Sequence, residues 1–206
     1  MRTVRRFGEH ELEVKKSRFL CAVARVTSED EAREFIRGRR KAHHDARHHC
    51  SAFVLGDEAS TQRSSDDGEP AGTAGGPMLE VLRRNDLTNT VAVVTRWFGG
   101  VKLGAGGLVR AYGSAVSETL ENVGLAERRP VRIMHIATRH ETAGKLENDL
   151  RVAGHHVADV EYGDKARIAV HVPDETVPDF ETWLAEATGG DAHAARGDLI
   201  HVLHEL

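Results

Sequence analysis

Residues 66–114 read DDGEPAGTAGGPMLEVLRRNDLTNTVAVVTRWFGGVKLGAGGLVRAYGS. Two charged, glycine-rich loops flank a short apolar strand. The first runs from Asp66 to Pro77 and the second from Arg96 to Gly107. Glycine is costly in ordered backbone, so a dense run marks disorder, unusual dihedrals or a close approach to something else. The second loop mixes glycine with Arg96, Trp97, Phe98 and Lys102, a poor composition for a flexible linker. It reads as an ordered functional loop. Pro77 opens a helix at its first position, where its missing N–H costs nothing, with Met78, Leu79, Val81 and Leu82 turned inward. Val91–Thr95 reads as a buried strand. Leu108–Val123 reads as an amphipathic helix closed by Gly124.

Working outward, Phe19–Val26 is an apolar, β-branched strand candidate. Thr27 or Ser28 caps a helix through about Ala42, with Asp30 and Glu31 in its first turn and Ala32, Phe35 and Ile36 facing the core. Ser51–Leu55 is a strand ended by Gly56-Asp57, and the run from there to Gly76 reads as a long loop. Arg128-Arg129-Pro130 marks a boundary. Beyond it come strand, helix, strand, strand, helix and strand at Val131–Arg139, Thr142–Ala153, His156–Tyr162, Lys165–Val172, Val177–Ala187 and Asp191–Leu203. Two βαβ halves in succession suggest a ferredoxin-like α/β sandwich, with Gly163-Asp164 turning its middle hairpin. The expected fold class is α+β in two domains, residues 1–127 and 131–206.

Apolar content is 40%, enough for a packed interior, and only 5% of residues are aromatic, so Val, Leu, Ile and Ala fill it. No apolar run is long enough to span a bilayer. The N-terminal residues are basic but lack a following apolar stretch, which argues against a secretory signal. Cys21 and Cys50 are the only cysteines, so a disulfide framework is not expected and a cytoplasmic protein with reduced thiols is. The formal charge is −4, unevenly spread: residues 1–47 balance at +5, residues 48–130 at −2 and residues 131–206 at −7. Net acidity argues against non-specific coating of nucleic acid, though a local basic face is compatible with it. No sequence-specific DNA binding is expected.

The second loop sets Arg96, Lys102 and Arg110 around Gly99, Gly100, Gly106 and Gly107 at the start of a helix. Backbone N–H groups and the helix dipole favour anions there, and guanidinium groups add bidentate recognition of phosphate. A phosphate-bearing ligand, either an RNA backbone or a nucleotide, is the sharpest reading. The spacing is neither a Walker A loop nor a dinucleotide fingerprint. The plainer reading has the glycines serving loop–strand packing and Arg96 pairing with Asp66 or Asp67. Trp97 and Phe98 beside positive charge suit base stacking, or else core packing and a protein-facing patch. Asp66, Asp67 and Glu69 form an acidic loop that would either hold Mg²⁺ or do acid–base work, or else cap a turn and neutralise the basic loop. The run His43-His44-Asp45-Ala46-Arg47-His48-His49-Cys50 invites a metal reading, but it passes from helix into strand, so no metal site is expected.

The two loops resemble those of the YigZ/IMPACT family. The resemblance is carried by Ser65–Leu79 and Val94–Ser117, with Lys16–Cys21 and Ala42–Gly56 fitting the same family's opening strands. It implies a first domain similar to the second domain of a small-subunit ribosomal protein, and a second similar to the last domain of elongation factor G. The family pattern near the histidine run is similar to His-Pro-Asp-Ala-Thr-His-Asn-Cys, from which His44, Arg47 and His49 depart. The expected role is binding rather than catalysis: a translation-linked regulator that engages RNA, the ribosome or a protein of the translation system, without a cofactor. The alternatives are an enzyme acting on a phosphorylated small molecule or nucleotide, with the acidic loop holding a metal, and a protein-interaction module using Trp97.

Overall fold

The computed structural model describes residues 1–205. The fold is α+β, and the chain divides into two compact units. One is Met1–Arg128 with the end of the last strand from Leu203; the other is Arg129–Val202.

The first unit contains β1 (Arg2–Val4), β2 (Gly8–Val14), β3 (Ser17–Arg25), α1 (Glu29–Ala42), β4 (His48–Leu55), β5 (Thr61–Ser65), α2 (Gly75–Arg84), β6 (Thr90–Trp97) and α3 (Ala105–Val123). Its five-stranded sheet has the order β2-β3-β6-β4-β5, with every neighbouring pair antiparallel. Side chains alternate along a strand, so a central strand serves two cores. Val91 and Val93 of β6 pack with Ala32, Phe35 and Ile36 of α1. Ala92 and Val94 pack on the other face with Met78 and Leu82 of α2 and Tyr112 and Val116 of α3. The continuous apolar run of β6 is therefore that of a strand buried on both faces. Ser28 caps α1: its Oγ accepts the Glu31 N–H at 3.2 Å, while Glu31 reaches back to the Thr27 N–H at 2.7 Å. That reciprocal arrangement is a capping box displaced by one residue.

Three strands of this unit, β1, β2 and β5, are absent from the sequence-based expectation. β5 lies inside the segment expected to be loop. β2 pairs with β3 through a two-residue turn, Lys15-Lys16, with φ of 47° and 66°. Such turns need positive φ at both central residues and usually take Asn-Gly. A Lys-Lys turn sends no such signal.

The second unit contains β7 (Leu125–Thr138) from Arg129 onward, α4 (His140–Val152), β8 (His156–Tyr162), β9 (Ala166–Pro173), a 3-10 turn at Asp174–Thr176, α5 (Val177–Thr188) and β10 (His193–Glu205) up to Val202. The strand order β10-β7-β9-β8 and the βαββαβ succession are those of a ferredoxin-like sandwich. Met134, Ile136, Ile168 and Val170 pack against Leu146, Leu150, Phe180 and Leu184 of the two helices. Pro130 does not break β7 as expected. Leu125–Glu127 pair with β1 and Val131–Thr138 pair with β9, so Pro130 falls between those two ladders.

Candidate functional site

The first glycine loop turns its acids inward. Asp66 Oδ1 accepts the N–H groups of Ala74 and Gly75 at 3.0 and 2.8 Å, and Oδ2 accepts that of Gly72 at 2.8 Å. Asp66 thereby caps α2 from eight residues upstream of Ala74. Burial works against its charge, but the three donors outweigh it and hold the carboxyl below its ordinary range. Asp67 accepts the His49 N–H at 2.6 Å and Arg40 at 2.6 Å, joining the loop to β4 and α1. Gly75 has no room for a side chain: a Cβ would stand 2.7 Å from the Ser65 backbone.

Glu69 lies beneath the second loop. Its Oε1 accepts both Arg96 Nη1 at 2.6 Å and the Tyr112 hydroxyl at 2.7 Å. The Arg96 and Glu69 side chains are only 7% and 4% exposed. The Arg96 guanidinium also stands over the Phe19 and Phe98 rings, and its Nε is buried without a partner. Arg96 is thus a strut between β6, α3 and the first loop. It is not the surface cation expected from sequence, and its carboxylate partner is Glu69 rather than Asp66 or Asp67. The Cys50 Sγ–H donates to the Asp66 carbonyl at 3.0 Å, and burial pushes both the Cys50 and the Cys21 thiols up to about 12. Both remain protonated, which removes them as nucleophiles at neutral pH.

Trp97 follows Arg96 on β6 and therefore points to the other face of the sheet. Its Nε1–H donates to Asp45 at 2.8 Å, His43 packs edge-on against it, and the Arg18 guanidinium covers its ring at 4.4 Å. The sheet separates Trp97 from Arg96, so the two cannot form one stacking platform. Phe98 returns to the α3 side and is 54% exposed, which removes the reading of Phe98 as core.

Lys102 and Arg110 remain exposed, as do Gly100 and Gly106, at the start of α3. Gly104 stands at the N-cap of α3 with no side-chain cap bond and no acid in the first turn, so the N–H groups of that turn, Gly106 and Gly107 included, lack a side-chain acceptor. Gly99 holds the loop against the β2–β3 turn. A Cβ there would stand 2.0 Å from the Lys16 carbonyl, and the Gly99 N–H donates to Ser17 Oγ at 3.2 Å. That approach brings Lys15 and Lys16, which sequence reasoning missed, beside the second loop. Lys15 and Arg110 line one cleft of about 240 Å³ with Leu12, Val14, Leu103 and Gly107. Among the described residues, Lys15, Lys16, Lys102 and Arg110 have no carboxylate partner. The signal for Lys15 and Lys16 was the alternation Glu-His-Glu-Leu-Glu-Val just before them, which predicts a strand needing a turn.

The histidine run is structural where it is buried. His48 Nδ1–H donates to the Asp67 carbonyl at 3.0 Å and His49 Nε2–H to the His43 carbonyl at 3.0 Å. Burial and then Arg39 lower the His43 pKa. Among the described residues, no three His, Cys, Asp or Glu side chains are grouped to hold a metal ion, the acidic loop included. No helix among them is long and apolar enough to cross a membrane.

A two-domain α+β chain with these two loops defines a class, and comparison with known proteins identifies it. Residues 15–120 match the Impact N-terminal domain, and residues 139–191 match a domain of unknown function, DUF1949. The chain is 46% identical to the IMPACT family member YvyE of Bacillus subtilis, over 97% of this chain and 92% of that one. It is 36% identical to the IMPACT family member YigZ of Escherichia coli, over 86% and 88%. A solved structure described as a hypothetical protein aligns over 96% of this chain and 97% of its own, with 32% identity and a TM-score of 0.62. The chain belongs to the IMPACT family.

Proposed function

We propose that the chain is a translation-linked binding protein whose cationic face, formed by Lys15, Lys16, Lys102 and Arg110 at the start of α3, engages the phosphate backbone of RNA, including ribosomal RNA. The observation that supports this most is the set of four cations without carboxylate partners beside an uncapped helix start. Free N–H groups and unpaired ammonium and guanidinium groups are the chemistry that holds phosphate. The face is open rather than enclosed, which suits a polymer better than a small substrate. The reading of an enzyme with a metal-holding acidic loop loses its support, because Asp66, Asp67 and Glu69 are occupied by backbone N–H groups, Arg40, Arg96 and Tyr112. The 38% identity to the protein IMPACT homolog of Saccharomyces cerevisiae spans 43% of this chain and 35% of that one, and it places no partner on this face.

Titration with single-stranded RNA at several salt concentrations tests the proposal. Affinity should fall steeply as salt rises, and Lys102→Ala or Arg110→Ala should each weaken binding and flatten the salt slope by about one unit. Undetectable binding at low salt, or a slope unchanged by both substitutions, would remove the reading.

A further inference from the structure

We propose that the outer edge of β2 is a strand-addition site for an extended segment of a partner protein in which apolar and basic residues alternate. β2 ends its sheet, and its register with β3 is unbroken from Gly8↔Val23 to Val14↔Ser17. A two-residue turn makes Val14–Ser17 a hydrogen-bonded pair, and such pairs alternate along an antiparallel ladder. The backbone N–H and C=O groups of Glu9, Glu11 and Glu13 therefore point away from β3. Among the described residues, none of those groups bonds elsewhere. Proteins usually blunt such an edge with a bulge, a proline, a cover or charged side chains, and on β2 the charge takes the form of a glutamate row that sets which partner can add. The edge strand β8 of the second unit shows the first of these devices, with its ladder interrupted between Val157 and Asp159. β2 has no such interruption.

The surroundings of the edge select the occupant. On one side, the cleft of about 240 Å³ between β2 and α3 is lined by the apolar Leu12, Val14, Leu103 and Ala111, with the charged Lys15, Arg110 and Glu118 also lining it. A strand paired to β2 would drop every second side chain toward it, and the apolar side chains of β2 there favour apolar ones opposite. The other face of β2 carries Glu9, Glu11 and Glu13, all exposed. Glu9 pairs with Arg39 and Glu11 with Arg18, while Glu13 has no ion pair among the described residues. This row opposes a second copy of the chain. Antiparallel pairing of two β2 edges must use the outward backbone groups of the glutamates, which sets carboxylate against carboxylate, and like charges directly opposite destabilise a sheet. The same row favours lysine or arginine on the incoming strand. The edge adjoins the proposed RNA face, because Lys15 and Arg110 line the same cleft, but it is read at the backbone of Glu9, Glu11 and Glu13, so loss of RNA binding in Lys102→Ala would leave this inference standing.

The test uses the full chain and a capped synthetic peptide of alternating valine and lysine, as long as β2. Amide hydrogen exchange read by NMR should slow at Glu9, Glu11 and Glu13 as the peptide saturates, with the already paired amides of His10 and Leu12 little changed. The double substitution Glu11→Lys and Glu13→Lys should weaken this peptide by about tenfold and favour one in which glutamate replaces lysine. Exchange on the unsubstituted chain keeps the test valid if the variant folds poorly. Absence of protection at the three glutamates would overturn the proposal. So would protection of those amides by RNA alone, or by self-association of the chain at rising concentration.

Discussion

The two glycine-rich loops look alike in sequence and do opposite work. The loop from Asp66 to Pro77 spends its charges internally: Asp66 on three N–H groups, Asp67 on His49 and Arg40, and Glu69 on Arg96 and Tyr112. The loop from Arg96 to Gly107 buries one cation, Arg96, and leaves Lys102 exposed ahead of an uncapped helix. The difference lies in where each charge finds a partner. A carboxylate can be satisfied by backbone donors, which glycine loops supply in number. A cation needs an acceptor, and the three acids of the first loop are already taken. The acidic loop is therefore scaffold, and the basic one keeps the exposed cations on which the proposed RNA contact rests.

The sharpest way to break this comparison is at the point where the loops join. Arg96→Ala should destabilise the first unit by about 3–5 kcal/mol, because it leaves the Glu69 carboxylate buried and uncompensated. Thermal or urea melts measure it, and a loss below about 1 kcal/mol would mean the pair is not a strut. Next comes Asp66→Asn, which takes the charge from all three N–H contacts and sets an NH2 group where one carboxylate oxygen accepted, and should cost about 2 kcal/mol. Its pH dependence carries a sign. Asp66 is depressed in the folded state, so its contribution is present above the ordinary carboxylate range and is lost as pH falls through the folded value. An acid titration of stability should lose part of its low-pH slope in Asp66→Asn, and an unchanged slope would contradict the capping role.

Gly99→Ala should cost about 1–2 kcal/mol, since its Cβ would meet the Lys16 carbonyl at 2.0 Å and one backbone must move. The same substitution should weaken RNA binding by displacing the Lys15-Lys16 turn. A variant that is destabilised while binding RNA unchanged would separate the turn from the cationic face. The smallest effect sharpens the contrast: Lys102→Ala and Arg110→Ala should alter stability by less than about 0.5 kcal/mol, as exposed side chains away from any cap or pair do. A large loss of melting temperature in either would show the second loop to be scaffold as well.

Much of the second unit was legible because its signals are local. Its strands and helices stand within about three residues of the expected bounds, except that β7 begins earlier, at Leu125, and continues through Pro130. A proline is tolerated between ladders, and where the ladders of β7 end depends on partner strands distant in sequence. In the first unit, β6 and α3 were readable from apolar continuity and from Gly124. β2 carried an alternating pattern but no turn signal, because neither Lys15 nor Lys16 favours the positive φ its turn requires. Trp97 was assigned to the wrong neighbours for a related reason. Adjacent residues on a strand look contiguous in sequence yet face opposite sides of the sheet.

The sequence by itself determined the fold class, the family, the two loops and the inventory of charges near them. These follow from periodicity, composition and motif, which act over short spans of chain. Only the tertiary structure decided which charges remain available. The carboxylate that takes Arg96 lies 27 residues away in the chain, and the turn that brings Lys15 and Lys16 to the second loop joins it through a contact with Gly99. Burial and pairing are properties of the packed chain, and they turned Arg96 from a candidate ligand into a strut while leaving Lys102 and Arg110 open to solvent.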